Sequence, residues 1–140
     1  MSKRFYFAYG SNMDEQQMST RCPGAVVEGT AKLRDHRFMI NAKGFATVVR
    51  EQSGEVFGVL WSLTPADEAS LDGYEGMATG LYWKTTIDVE VKTESVRALI
   101  YVAGNSRLGS PRKDYINKLL AAAERHQLPA TYIGELRAWL

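Results

Sequence analysis

The sequence predicts an α+β fold in a single domain over residues 1–140. Strand-like runs follow one another with short polar connections, and the clearest helical patterns lie between and after them. Neighbouring runs of this kind pair antiparallel, whereas a doubly wound fold alternates strand and helix throughout. A chain of 140 residues buries about two-thirds of its unfolded surface, which is enough for one core with a cleft in it. Periodicity alone leaves open whether the sheet closes into a barrel.

The first strand is predicted at residues 4–9, an aromatic and apolar run. The run stops at Gly10, Ser11 and Asn12, which are residues that favour tight turns and helix caps. A strand that enters a loop is therefore expected. The polar residues 14–20 then predict one or two helical turns.

The middle of the chain predicts further strands. β-branched and charged residues mix over 25–40, which indicates two strands, and residues 46–50 indicate another. Ser53-Gly54 is interpreted as a hairpin turn, and the apolar run at 56–63 as the strand that follows it.

A helix is predicted to begin at Thr64. The Thr64 hydroxyl can cap it, Pro65 fits the first helical position, and Asp67 stands where the acid of a capping box belongs. This helix is expected to end near Gly73.

Two strands and two helices complete the predicted order. Apolar and polar residues alternate over 85–92, which is typical of a half-buried strand, and 97–103 is its expected antiparallel partner. The Ser-Pro step at 110–111 predicts a helix start, and apolar residues recur on one face of the segment that follows. Pro129 breaks this helix, and a final short helix is expected to carry Trp139 inward.

Composition and charge exclude several classes of protein. The net charge is +1, from 17 basic and 16 acidic residues, so no nucleic-acid partner is expected. The single cysteine, Cys22, excludes an intramolecular disulfide and a multi-cysteine zinc site. The longest apolar run, at 98–103, is far shorter than the ~20 residues that span a bilayer, and the first residues lack the apolar stretch of a signal peptide. A cytoplasmic protein without a membrane partner is expected, and its oligomeric state stays open.

Familiar catalytic patterns are absent from the sequence. It contains no P-loop, no strand-linked G-x-G-x-x-G, no H-E-x-x-H and no G-x-S-x-G. His36 and His126 are far apart in sequence, and both are interpreted as structural or exposed. No base can therefore be assigned to a triad on Ser11, no metal site can be assembled, and Cys22 is interpreted as a buried or inert thiol.

Two segments remain as candidates for chemistry. In the first, the strand at 4–9 ends abruptly at Gly10-Ser11-Asn12. Successive backbone N–H groups in such a turn can point at one place and bind a carboxylate or a developing oxyanion. The alternative is an ordinary strand-to-helix turn, and spacing alone favours that simpler interpretation.

The second candidate segment is 71–76, Leu-Asp-Gly-Tyr-Glu-Gly, with Gly-Leu-Tyr following at 80–82. Gly73 and Gly76 are expected to place Glu75 on a tight loop with aromatic residues close in sequence. A carboxylate in a partly dry aromatic pocket has a raised pKa and becomes a usable acid and base. The alternative is a solvated loop glutamate, which is the commoner situation.

Taken together, the two segments resemble the γ-glutamylcyclotransferase family and its AIG2-like members. The Phe-Ala-Tyr-Gly-Ser-Asn string at 7–12 resembles the N-terminal signature of that family, and the Leu-Asp-x-x-Glu-Gly pattern at 71–76 resembles its second motif. The strand-like run at 55–61 precedes the second motif as it does in the family, and the likeness extends along nearly the whole chain. The resemblance implies a small, mixed, mainly antiparallel β-barrel flanked by helices, with a cavity at one end.

The resemblance also implies a reaction, in which the γ-glutamyl group of a dipeptide or amide cyclises to 5-oxoproline and the amine is released without a cofactor. Glu75 would be the general acid and base. The substrate-binding residues implied by the family are Tyr9, Gly10, Ser11, Asn12, Tyr82 and Tyr115. Whether the loop binds the substrate carboxylate or the charge on the carbonyl oxygen stays open, as do the leaving amine and the pathway.

The chain departs from the family pattern at Tyr74, where better-known relatives often have a polar residue, and this leaves the substrate subtype open. Two other functions are considered beside the cyclotransferase. One is a small-ligand binding or interaction domain of the same fold without turnover, because fold does not settle function. The other is a hydrolase with Ser11 as its nucleophile.

Overall fold

The structure, a computed structural model, describes residues 4–76, 82–104 and 107–140. Its strands are β1 Arg4–Ala8, β2 Val26–Ile40, β3 Ala46–Leu63, β4 Tyr82–Val91 and β5 Glu94–Ala103. Its α-helices are α1 Glu15–Arg21, α2 Pro65–Tyr74, α3 Lys113–Arg125 and α4 Ala130–Arg137, and a 3₁₀ turn spans Ser11–Met13.

The five strands form a closed barrel in the order β1-β3-β2-β4-β5. The pairings of β1 with β3, β2 with β3, β2 with β4 and β4 with β5 are antiparallel. Closure comes from a parallel contact between β1 and β5, where Tyr6 lies opposite Leu99. The expected mixed, mainly antiparallel barrel is therefore confirmed. Periodicity could not predict closure, because this contact joins segments from distant parts of the chain.

β2 and β3 form one long hairpin, which corrects the prediction of separate short strands with a turn at Ser53-Gly54. The register shifts between Arg34 and His36, and Asp35 and Ser53 both have positive φ values, of 60° and 67°. The backbone N–H of Ser53 donates to the Asp35 carboxylate across this irregularity, at 3.1 Å. The turn-forming residues thus mark a β-bulge that bends the ladder without ending it.

The predicted start of α2 is confirmed. The Thr64 hydroxyl accepts from the Asp67 N–H at 3.2 Å, and the Asp67 carboxylate accepts from the Thr64 N–H at 3.0 Å. Pro65 is the first helical residue. Asp67 is 3% exposed and also accepts from the Gly24 N–H at 3.2 Å, so the same carboxylate ties the helix start to the chain that precedes β2.

The C-terminal half of the chain largely follows the prediction. β4 and β5 are an antiparallel hairpin, and α4 follows Pro129 as expected. α3 begins at Lys113, two residues after the predicted Ser-Pro step, and its N-cap residue Arg112 makes no side-chain capping bond. Trp139 is partly buried and packs edge-on against Phe38, with ring centroids 6.3 Å apart.

The packing of the helices places one end of the barrel beside α2 and α3. Apolar side chains fill the interior, and Phe7, Val59 and Leu99 are all fully buried. α3 packs against α4 and against the 3₁₀ turn, and α1 packs against α2. Within the described ranges, none of the helices has the length and apolar character needed to cross a bilayer.

Candidate active site

A cavity of about 310 Å³ opens where β1 ends, between α2 and α3. All seven residues selected from the sequence line it: Tyr9, Gly10, Ser11, Asn12, Glu75, Tyr82 and Tyr115. The two candidate segments, more than 60 positions apart in the sequence, therefore meet at one place. The cavity is also lined by residues that sequence reasoning missed or gave no role: Tyr6, Gln17, Arg21, Phe45, Ala46, Tyr74, Tyr101 and Lys118. Residues 80 and 81 of the second motif lie outside the described residues.

The loop after β1 is a 3₁₀ turn whose first residues line the cavity. Gly10 is its N-cap residue, and the Met13 N–H donates to the Gly10 carbonyl at 3.0 Å. In a turn of this kind, the amides of Ser11 and Asn12 have no acceptor within the turn. These N–H groups can therefore serve an anion or a developing oxyanion.

Asn12 holds the loop in place through contacts with the protein. It is 3% exposed, and its amide nitrogen donates to the Tyr6 hydroxyl at 3.0 Å. Its side-chain oxygen accepts from Gln17 at 2.8 Å and from Arg21 at 3.1 Å. The Trp61 indole N–H donates to its carbonyl at 3.1 Å. We infer that the Asn12 side chain fixes the shape of the loop and that the backbone provides the groups available to a ligand.

Ser11 lacks the arrangement that a serine nucleophile needs. Its hydroxyl oxygen accepts from the Gln17 amide at 2.8 Å, which leaves the hydroxyl hydrogen free to donate. His126 contacts the Met13 carbonyl at 2.9 Å, and His36 contacts the Arg34 carbonyl at 2.8 Å. In the described part of the chain neither histidine is hydrogen-bonded to Ser11, so neither forms the Ser-His pair of a hydrolase.

Tyrosine side chains form much of the cavity wall. The Tyr9 hydroxyl donates to the Tyr101 carbonyl at 2.5 Å, and the Tyr82 hydroxyl donates to the Ala46 carbonyl at 2.8 Å. The Tyr115 hydroxyl instead accepts from the Ala46 N–H at 3.2 Å, so its own hydrogen remains available. Burial raises the pKa of Tyr115 to about 12, which keeps this hydroxyl protonated at neutral pH. Tyr115 is thus a neutral donor on the wall.

Glu75 is the C-cap residue of α2 and lies in the turn that ends the helix, as predicted. The helix passes through Gly73 and continues to Tyr74, and the Glu75 N–H donates to the Leu71 carbonyl at 2.8 Å. Gly76 follows with a φ of 66°, the left-handed conformation in which glycine commonly ends a helix. The predicted end near Gly73 is thus confirmed to within one residue, and Glu75 directly follows the helix. As a result, the helix fixes the backbone of Glu75 more firmly than a loop would.

The environment of Glu75 favours its neutral form. Burial raises the pKa of its carboxyl from 4.5 to about 7, although the nearby Arg21 guanidinium opposes the rise. The C-terminus of a helix carries partial negative charge, which disfavours a carboxylate in the same sense as burial. The ionisable groups that interact with Glu75 are Arg21, Tyr6, Tyr9, Tyr82 and Tyr115. Glu75 can therefore both accept and donate a proton near neutral pH.

Arg21 closes one side of the cavity. Its guanidinium lies 4.5 Å from the centroid of the Tyr74 ring, and it donates to the Asn12 side chain at 3.1 Å. An arginine at the end of a short polar helix gives no sequence signal of such a role, because most charged helical residues are solvated.

The Cys22 thiol is buried, as predicted, and burial raises its pKa to about 11. Over the described ranges of the chain, no three His, Cys, Asp or Glu residues are grouped so as to hold a metal ion.

Known proteins resemble this chain in both sequence and fold. The sequence profile of the AIG2-like family matches residues 55–136. The γ-glutamylcyclotransferases of Mus musculus and Homo sapiens are each 29% identical over an alignment of 146 positions, which covers 95% of this chain and 77% of each relative. A solved structure named gamma-glutamyl cyclotransferase superposes with a TM-score of 0.93 at 26% identity, and the match covers 99% of this chain and 89% of that one. Because the family profile matches more than half of its length, this chain belongs to the AIG2-like family.

Proposed function

We propose that this chain converts a γ-glutamyl amino acid or a γ-glutamyl amine into 5-oxoproline and the free amine, with Glu75 as the general acid and base. The cyclotransferase type of enzyme is that of its curated relatives, and the substrate and the residue roles are the proposal. The observation that carries it is the position of Glu75, a carboxyl with a pKa of about 7 in the same cavity as the loop amides.

The reaction needs one group that can move protons in both directions. The α-ammonium of the substrate must lose a proton before its nitrogen attacks the γ-carbonyl carbon. That carbon–nitrogen bond forms, the bond to the leaving amine breaks, and the leaving nitrogen gains protons. The protons lost by the α-nitrogen equal those gained by the leaving amine, so no net proton is consumed. Glu75 would receive the proton from the first nitrogen and return it to the second.

The raised pKa of Glu75 suits this role in magnitude. The reference pKa of an α-amino group is about 8, and that of an ordinary glutamate is about 4.3. Proton transfer from the α-ammonium to such a glutamate would therefore cost about 5 kcal/mol. With Glu75 near 7, the same transfer costs roughly 1.4 kcal/mol. Burial of Glu75 therefore removes a large part of the barrier to generating the nucleophile.

Other residues that line the cavity offer donors for the substrate oxygens. The amides of Ser11 and Asn12 and the hydroxyls of Ser11 and Tyr115 have hydrogens available, and Arg21 and Lys118 supply positive charge. These groups would hold the α-carboxylate or stabilise the oxyanion of the tetrahedral intermediate. Holding the flexible γ-glutamyl chain in a folded conformation would add a proximity effect of up to ~7–11 kcal/mol in favourable cases.

The direct test is incubation with a panel of γ-glutamyl amino acids and γ-glutamyl amines while 5-oxoproline is measured. Formation of 5-oxoproline with stoichiometric release of the amine supports the proposal. Binding of panel members without any product supports instead a binding domain of the same fold. Trapping of an acyl group on Ser11, with glutamate as the product, would indicate the hydrolase.

A further inference from the structure

Tyr101 on β5 contacts both halves of the candidate site. It is 2% exposed and lines the cavity. Its backbone carbonyl accepts from the Tyr9 hydroxyl at 2.5 Å, on the side of the loop. Its own hydroxyl donates to the Asp72 carboxylate at 2.7 Å, on the side of α2. The Tyr6 ring packs against it edge-on, with centroids 5.8 Å apart, which restricts the orientation of the Tyr101 ring.

Asp72 lies on α2 close to Glu75 in the sequence. The two residues are three positions apart, so they lie on the same face of α2 near its end. Lys84 on β4 donates to Asp72 at 2.8 Å and to Glu68 at 2.8 Å, one turn earlier on the same helix. Burial raises the pKa of Asp72, but the hydrogen bonds from Lys84 and Tyr101 outweigh it and keep the pKa below its usual range. The end of α2 is thus fixed to β4 and β5 by an ionised carboxylate.

We propose that Tyr101 is a positioning residue that sets the distance between the Tyr9–Asn12 loop and Glu75 by its simultaneous contacts with Tyr9 and Asp72. The proposal rests on the proposed function, because that reaction requires the γ-carbonyl at the loop and the α-amine at Glu75 in one geometry. A misplacement of ~1 Å at a reacting centre can cost about a hundredfold in rate. The Tyr101 hydroxyl acts through Asp72 and has no role in bond making itself.

The primary test is Tyr101→Phe, which removes only the hydroxyl and keeps the ring against Tyr6. We expect kcat to fall by about ten- to a hundredfold with KM changed less than about threefold, since the loop amides remain. The matched control is Tyr132→Phe, which also removes a buried tyrosine hydroxyl, at 2% exposure, from a ring that packs on Phe57 away from this cavity. The control should retain the wild-type kcat.

A double-mutant cycle separates positioning from direct contact with the substrate. If Tyr101 acts through Asp72, then Tyr101→Phe combined with Asp72→Ala should be no slower than Asp72→Ala alone. Lys84→Met releases the same helix end from β4 without altering Tyr101, and we expect it to lower kcat in the same manner. Rate effects of Tyr101→Phe and Asp72→Ala that multiply in the double variant would overturn the proposal, because Tyr101 would then act on the substrate itself.

A second readout does not depend on turnover. Titration of the Glu75 carboxyl by ¹³C NMR should give a lower pKa in Tyr101→Phe than in the wild type, because a looser helix end admits water, and Tyr132→Phe should leave it unchanged. The other ionisable groups that face this carboxyl are those named above: Arg21, Tyr6, Tyr9, Tyr82 and Tyr115.

The two readouts also distinguish failure of this proposal from failure of the proposed function. If the wild type forms no 5-oxoproline from any γ-glutamyl compound while the Glu75 titration moves in the Tyr101 and Asp72 variants but not in Tyr132→Phe, the function fails and the positioning stands. If the wild type is active and Tyr101→Phe matches it in kcat and in the Glu75 titration, the positioning proposal is overturned.

Discussion

Replacing Glu75 with glutamine should stabilise the folded protein by an amount that grows as the pH rises from about 4.5 to about 7. The folded state holds the Glu75 proton up to a pH of about 7 because burial disfavours the charge. The unfolded chain releases this proton near pH 4.5, the ordinary value. Between these two pH values the folded state binds more protons than the unfolded state, so the free energy of unfolding falls as the pH rises. Glutamine has a similar shape and no proton to lose, so it removes this penalty.

The magnitude follows from the size of the pKa rise. At about 1.4 kcal/mol per pH unit, a rise from 4.5 to about 7 corresponds to roughly 3 kcal/mol. For a chain of 140 residues, the entropy of unfolding makes this about 10 °C in Tm. The stabilisation should be nearly absent at pH 4.5, where the carboxyl is protonated in the folded state and only partly ionised in the unfolded state.

Urea unfolding of the wild type and Glu75→Gln at pH 4.5 and pH 8 measures the effect directly. The exposed Glu94 provides a control, because Glu94→Gln should change the free energy of unfolding by less than ~0.5 kcal/mol at both pH values. An equal effect of Glu75→Gln at the two pH values, or a loss of stability at pH 8, would refute the claim that burial holds the proton on Glu75.

Three further predictions concern the cavity and the start of α2. Arg21→Met should raise the pKa of Glu75, because the guanidinium lowers it, and the acid limb of the kcat–pH profile should therefore move to higher pH. An acid limb at the wild-type pH would show that Arg21 does not act on Glu75. Gly10→Ala should keep the Tm within a few degrees but weaken activity toward γ-glutamyl compounds, because the added Cβ would lie 3.5 Å from the Tyr115 hydroxyl inside the cavity. A wild-type KM and kcat in steady-state kinetics would contradict this prediction. Asp67→Ala should lower the free energy of unfolding, measured by urea denaturation, by about 2–4 kcal/mol, because the buried carboxylate accepts from the Thr64 and Gly24 amides. A loss below ~1 kcal/mol would show that water replaces these hydrogen bonds.

Local features of the fold could be predicted because their causes lie within a few residues. The capping box of Thr64 and Asp67 is satisfied by atoms three positions apart. The break at Pro129 likewise follows from one residue. The end of α2 was predicted to within one residue, since the helix ends at Tyr74 beside Gly73, although only the backbone shows that Gly76 adopts the left-handed conformation.

The candidate site was predictable only in part. Residue chemistry alone allows its two segments to be a binding loop and an acid–base group, but it favours an ordinary turn and a solvated glutamate. Only the resemblance of both segments to one family favours the functional interpretation. Arg21 and Tyr101 could not be found, because their contacts join residues far apart in the chain. Tyr101 in particular lies within the longest apolar run of the sequence, and this pattern predicts a core residue. Only the structure shows that its hydroxyl donates to the Asp72 carboxylate.

The most direct test of the proposed mechanism is the rate of 5-oxoproline formation by Glu75→Gln, measured with ligand binding in the same preparation. Glutamine keeps the size and polarity of the side chain but cannot move a proton. We predict that the rate falls by about 10²–10⁴-fold while the affinity for a γ-glutamyl ligand stays within a few-fold of the wild type. Wild-type turnover by Glu75→Gln would contradict the assignment of Glu75 as the general acid and base.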